Sequence, residues 1–221
     1  MILDELVDFS VFHGGNEELV LAGGGNTSAK DGDFMYIKGS GTALATITAD
    51  GFVKMNRKKL AGIFTKKYPE SDKEREAMSL EDLYDARAEG QGDKRPSVET
   101  TLHSLFRERF VLHLHPWLIN AVSCAADGEK ICRELFGNDV LWIEPTKPGY
   151  TLAKVCCEKM NEYEKMNDKS CDILILANHG IFVSADTADE LGEKLGKVMS
   201  AIRERLEREA DLDTGEFDGE A

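Results

Sequence analysis

The segment CDILILANHGIFVS, residues 171–184, limits the possible folds more than any other. It reads as a buried apolar strand, a tight turn at Asn178 and Gly180, and a second apolar strand. Strands without a polar alternate need cover on both faces. The chain can supply that cover, because 221 residues are enough to bury a core without disulfide or metal staples. Helical spacing of Ile2, Leu3, Leu6, Val7 and Val11 predicts a helix over 2–12, ended by HGGN. Further helices are expected at 57–68, 79–88, in SVETTLHSLFRERF (97–110), in TLAKVCCEKMNEYEKM (151–166) and over 187–208. The last of these carries the stripe Leu191, Leu195, Val198, Ile202 and Leu206. DFMYIKG reads as a strand after an Asp31-Gly32 turn, TITADGFVKM as two short strands around Asp50-Gly51, and VLWIEP as another strand. The pattern lacks strict βα alternation. It implies one α/β domain with a mostly antiparallel or mixed central sheet covered by helices on both sides. The end, DLDTGEFDGEA, reads as an acidic disordered tail over 211–221.

The stretch VLHLHPWLINAVSCA (111–125) is a strand followed by a helix, with Pro116 at the boundary. Side chains alternate along a strand, so His113 and His115 share one face. Two imidazoles so placed suit a shared cation, and a pair of hydrogen-bonded core histidines is the alternative. His179, in LILANHGIF, stands at a strand end beside a turn, where site residues gather. Three imidazoles with one open position make the arrangement of a catalytic rather than a structural zinc. Of the other two histidines, His103 lies four residues after Glu99 and reads as structural; His13 reads as a helix-end residue.

AGGGNTSAK and KGSGTA are glycine-rich turns that match neither a dinucleotide fingerprint nor a P-loop. Their amides and hydroxyls can cradle a phosphate, and Lys30 and Lys38 add positive charge; ordinary hairpin turns are the alternative. PSVE (96–99) reads as a helix start with Ser97 as N-cap and Glu99 in the first turn, either a dipole-satisfying carboxylate or a general base. The net charge of −14 excludes nucleic acid as a natural partner. No apolar run reaches the ~20 residues that cross a bilayer, and MILDELVDFS is no signal peptide, so a cytoplasmic location is expected. The five cysteines lack a CxxC pair and read as buried small apolar residues.

In this order the motifs resemble the class II aldolase/adducin family, which includes the fuculose- and rhamnulose-phosphate aldolases. GNTSAK is similar to the family's Gly-Asn-x-Ser-x-Arg loop, with Lys30 for arginine. KGSG is similar to its Thr-x-Ser/Thr-Gly turn, and PSVE to its Ser-Ser-Glu motif, with Val98 for the second serine. HLHP supplies the His-x-His pair and NHG the third histidine. The resemblance covers roughly residues 5–205 and implies one such domain over 1–210, in the family's three-layer α/β/α form. It looks closest to the aldolase half of bacterial proteins that fuse this domain to a short-chain dehydrogenase, so a separate dehydrogenase partner is an expectation. It implies Zn²⁺, or another divalent metal, on His113, His115 and His179. Glu99 would be the acid/base, and Asn26, Ser40, Gly41 and Ser97 would hold a sugar phosphate. The implied reaction is reversible cleavage of a ketose 1-phosphate to dihydroxyacetone phosphate and an aldehyde, through an enediolate that the metal stabilises, in a homotetramer. Tyr150 is a candidate for a tyrosine that completes the site from a neighbouring subunit. The same scaffold serves pentulose-phosphate 4-epimerases, methylthioribulose-phosphate dehydratases and non-catalytic adducin-like assembly modules.

Overall fold

The computed structural model describes residues 2–20 and 24–206; the expected tail over 211–221 lies outside them. Its elements run α1 (Ile2–Gly14), β1 (Asn26–Asp31), β2 (Phe34–Lys38), β3 (Phe52–Asn56), α2 (Arg57–Thr65), α3 (Asp72–Asp85), α4 (Thr100–His103), β4 (Phe110–Leu114), α5 (Trp117–Ser123), α6 (Gly128–Phe136), β5 (Leu141–Ile143), α7 (Tyr150–Asn167), β6 (Ile173–Leu176), β7 (Gly180–Ala185) and α8 (Ala188–Arg205). The strands make one seven-stranded sheet in the order β3-β2-β1-β4-β7-β6-β5. Every pairing is antiparallel except β5 with β6. The expected mixed sheet, covered on both sides, is what forms.

Alternation along the strands sorts the core into layers. Phe110, Leu112 and Leu114 of β4, with Ile181 and Val183 of β7, face one layer and pack against buried residues of α1, α5, α6 and α8. Val111 and Phe182 face the other layer, where α4 and α7 cover them. Met35, Ile37, Val53 and Met55 continue that second face toward α2 and α3. The α3 and α7 helices are tied together at the N-terminus of α7. There the Glu76 carboxylate accepts from the backbone N–H groups of Tyr150 (2.9 Å) and Thr151 (3.0 Å), an anion placed where the helix dipole favours one.

The structure corrects several local expectations. TITADG forms two short 3₁₀ turns, Leu44–Thr46 and Ala49–Gly51, and only FVKM continues as strand. The helix expected over 79–88 runs from Asp72 to Asp85. Its charged first turns are solvated, so no apolar stripe marks them. The long helix expected in SVETTLHSLFRERF shrinks to Thr100–His103 because both flanks are pinned to the sheet: Gly39 bridges Pro96, and Lys30 N donates to Arg109 O at 2.8 Å. NTSAKD, expected as a loop, is β1, and α6 was not anticipated. Cys132, Cys156 and Cys171 are buried as expected, but Cys124 is exposed at the end of α5 and Cys157 is half-buried. Burial pushes the three inner thiols up to about 12, which keeps them as inert apolar packing. Among the described residues no helix is long and apolar enough to cross a membrane.

Candidate active site

The site lies at the ends of β1, β4 and β7, on the face covered by α4 and α7. Asn26 of β1 pairs with His113 of β4 in the antiparallel register, and His113 pairs in turn with Phe182 of β7. His113 is fully buried, its ring stacked on Phe182 at a centroid distance of 4.0 Å. Its Nδ1 donates to Ile181 O at 3.0 Å, so Nε2 is the ring nitrogen turned toward the site. His115 follows two residues later on the same face, and its Nε2 lies 2.9 Å from that of His113.

His179 comes from the β6–β7 turn, which is built for close approach. Asn178 takes a left-handed backbone at φ 56°, and its N–H bonds Ser123 O at 2.9 Å, tying the turn to α5. At Gly180 a Cβ would meet Leu114 O at 2.4 Å and His115 Cδ2 at 2.6 Å, so any side chain there would push His115 aside. Gly25 plays a similar part before β1, where a Cβ would stand 2.7 Å from His113 O. The three imidazoles each offer a nitrogen, all within 4.8 Å of one another. A tetrahedral zinc with Zn–N bonds of about 2.0–2.1 Å sets its ligand atoms roughly 3.3 Å apart, so this donor set fits a divalent metal.

Glu99, expected as the acid/base, reaches the histidines from the position just before α4. Glu99 Oε1 lies 3.2 Å from His113 Nε2 and 3.3 Å from His179 Nε2. Burial pushes the Glu99 carboxyl up, but the two imidazoles outweigh it and hold the group well below the usual carboxylate range. Burial, with help from His113 and His179, takes His115 down to about 4. Asn26 Nδ2 donates to Glu99 Oε2 at 2.5 Å and makes a longer contact of 3.3 Å with Ser97 Oγ. Ser97 starts the turn into α4 as a hydroxyl acceptor for Glu99 N at 3.3 Å.

Strand-like pairing continues past β2. Ser97 N donates to Lys38 O at 3.3 Å and Ser40 N to Arg95 O at 2.8 Å, an antiparallel register that sets Ser97 opposite Lys38 and the exposed Ser40 opposite Arg95. Asn26 and Ser97 therefore meet beside Glu99, while Ser40 and Gly41 stand exposed on the neighbouring turn. The two lysines separate. Lys38 Nζ donates to Thr42 O at 2.6 Å and feels the Glu99 charge, which raises a pKa that burial lowers more. Lys30 sits four residues along β1 from Asn26, about 13 Å away at strand rise, and its amine bonds Glu108 O at 2.9 Å. Val98, in place of the second serine, is exposed. Tyr150 is buried against Tyr68, with ring centroids 4.8 Å apart. It lines a cavity of about 230 Å³ beside the Glu99 turn, together with Leu80, Leu83, Val98, Thr101 and Lys147.

A model of the class II aldolase and adducin N-terminal domain matches residues 13–203. The chain belongs to the class II aldolase and adducin family. It is similar to the structure of the N-terminal class II aldolase domain of a conserved protein from Thermoplasma acidophilum, with a TM-score of 0.75, 26% identity and 93% coverage of each chain. The L-fuculose-1-phosphate aldolase of Thermus thermophilus shares the fold at a TM-score of 0.56 and 17% identity, over 90% of this chain and 92% of that one. An uncharacterized oxidoreductase, YuxG, of Bacillus subtilis (strain 168) is 29% identical over 214 residues. That match takes in 91% of this chain and 29% of the relative, so the chain spans less than a third of that protein's length.

Proposed function

We propose that this protein is a zinc-dependent aldolase that cleaves a ketose 1-phosphate between C3 and C4. The products are dihydroxyacetone phosphate and an aldehyde, and the reaction is reversible. The observation that carries this reading is the convergence of His113, His115 and His179 with Glu99 Oε1 at 3.2 and 3.3 Å from two of their Nε2 atoms. His113, His115 and His179 would hold the metal, with one coordination position left for substrate. The metal, when bound, supplies Lewis-acid stabilisation of the charge that cleavage leaves on the three-carbon fragment. In cleavage the Glu99 carboxylate takes the C4 hydroxyl proton as the aldehyde forms, and the C3–C4 electron pair stays on C3. Glu99 Oε1 gives C3 a proton, and in condensation it takes the proton back.

Asn26, Ser40, Gly41 and Ser97 hold the phosphate in this reading. The Asn26 N–H that makes only the long Ser97 contact is the one an anion would draw. Lys38 supplies a nearby cation within a chain of net charge −14. Substrate discrimination is assigned to residues 70–96, because α3 lines the cavity beside the Glu99 turn. We also propose that residues 1–210 form one domain, that it assembles as a homotetramer in the cytoplasm, and that it works with a separate dehydrogenase. The similarity to part of an oxidoreductase supports that last point.

The test is to supply zinc and a panel of ketose 1-phosphates and to measure triose phosphate and aldehyde together. Equal release of both from one substrate supports the aldolase. A 4-epimerase would yield an isomeric pentulose phosphate with no triose, and a dehydratase a product that keeps every carbon; either result replaces the aldolase reading. Failure of every sugar phosphate on a zinc-loaded protein would favour a non-catalytic module.

A further inference from the structure

Behind Glu99, β1 carries a hydrogen-bond chain for which the proposed reaction has given no use. Ser28 Oγ lies 2.8 Å from His103 Nδ1, His103 Nε2 bonds Asn26 Oδ1, and Asn26 Nδ2 reaches Glu99 Oε2 at 2.5 Å. His103 is fully buried, edge-on to Phe182 at a centroid distance of 5.3 Å, and its backbone N–H bonds Glu99 O at 3.0 Å. The direction of the chain is fixed from its charged end. A carboxylate only accepts, so Asn26 must turn its Nδ2 toward Glu99. Asn26 Oδ1 then faces His103 and can only accept, so His103 carries its proton on Nε2. His103 Nδ1 is left as the acceptor for the Ser28 hydroxyl. Burial holds His103 neutral, its pKa well below the ordinary value, as this polarity requires.

A purely structural cluster could have been apolar at less desolvation cost. Here two fully buried polar side chains, Ser28 and His103, stand in series behind one oxygen of a carboxylate whose other oxygen faces the histidine triad. We propose that His103 is a positioning residue. Backed by Ser28, it locks the Asn26 amide so that Oε2 of Glu99 is permanently occupied. Oε1, 3.2 and 3.3 Å from the His113 and His179 Nε2 atoms, is left as the oxygen that exchanges a proton with substrate. The role assigned to Oε1 rests on the aldolase reading; the polarity of the chain does not.

The first test therefore needs no substrate. Nitrogen-15 NMR of the histidine rings in the metal-free protein, with His103 assigned by His103→Gln, reads which ring nitrogen holds the proton. The expected result is a neutral His103 protonated on Nε2. Protonation on Nδ1 would overturn the inference whatever reaction the enzyme runs. The second test compares His103→Leu and His103→Gln on the sugar phosphate that the wild type turns over. Leucine removes the donor to Asn26, while glutamine offers an N–H at the Nε2 position. His103→Leu should lower kcat by about 10–100-fold with KM and metal content unchanged, the usual cost of an outer partner, and His103→Gln should recover most of the loss. Equal impairment of both variants, or none in His103→Leu, would overturn the proposal. If His103→Leu does not fold, Ser28→Ala replaces it. A smaller kcat loss, together with a mixed ring tautomer, supports the chain; wild-type values of both contradict it.

Discussion

The central strands have two unlike faces. Toward α1, α5 and α8, Phe110, Leu112, Leu114, Ile181 and Val183 form an unbroken apolar surface. Toward α4 and α7 the same strands, with β1 beside β4, present Asn26, Ser28, Lys30, His113 and Ser184, all of them buried. The first face works by area removed from water and tolerates similar shapes. The second must satisfy every donor and acceptor, because an unmet polar group in low dielectric costs more than a lost contact. It does so with an ordered set of bonds: Ser28 to His103 to Asn26 to Glu99, His113 to Ile181 O, and Lys30 to Glu108 O. One face supplies stability. The other converts that stability into fixed positions for charged groups.

That division makes the two faces separable by mutation. The largest effect belongs to Glu99→Gln, which keeps the shape and removes the proton carrier. In a turnover assay kcat should fall by about 10²–10⁴-fold, with metal content and thermal midpoint near wild type. A large loss of stability there would blur the comparison. Leu112→Ala does the reverse. Denaturant titration should show a loss of about 2–5 kcal/mol, while metal per folded chain stays at the wild-type value. Gly180→Ala touches both faces at their junction, because its Cβ would press on Leu114 O and on His115. Its expected cost is about 1–3 kcal/mol in the same titration, with weaker metal binding in an equilibrium metal titration. The last effect is a slope. Burial lowers Lys30 from 10.5 to about 7, so between those values the folded chain binds fewer protons at this site than the unfolded one. Stability of the wild type should therefore rise with pH across that window, relative to Lys30→Met. Denaturation midpoints of the pair at pH 7 and pH 9.5 measure the difference.

The sequence was most legible where a local period met an apolar background. The alternation of His113 and His115 stood out in VLHLH, and CDILILANHGIFVS revealed a covered hairpin ending in His179. The apolar face followed from the same rule, and so did the stripe of α8, where Leu191, Leu195, Val198 and Ile202 are buried. The polar face did not. Asn26, Ser28 and Lys30 alternate just as the histidines do, but against Thr27 and Ala29 the pattern has no apolar contrast, and β1 read as a loop. His103 read as a structural residue of a long helix because its i, i+4 distance from Glu99 suits one. Only the sheet contacts that pin residues 95–97 and Arg109 reduce that helix to one turn. Those contacts link positions more than fifty residues apart, beyond any local period. No local signal joins the members of the hydrogen-bond chain, because Asn26 and Ser28 lie more than seventy residues before Glu99 and His103.

The central claim is that the histidine triad is a metal centre. Elemental analysis of the purified wild type and of the His113→Ala, His115→Ala double variant, each after exposure to zinc, tests it directly. The account predicts one divalent ion per wild-type chain and none in the double variant, with both proteins folded. A wild type that stays free of metal, or a double variant that keeps it, would contradict the account and leave the three imidazoles and Glu99 as a hydrogen-bonded core cluster.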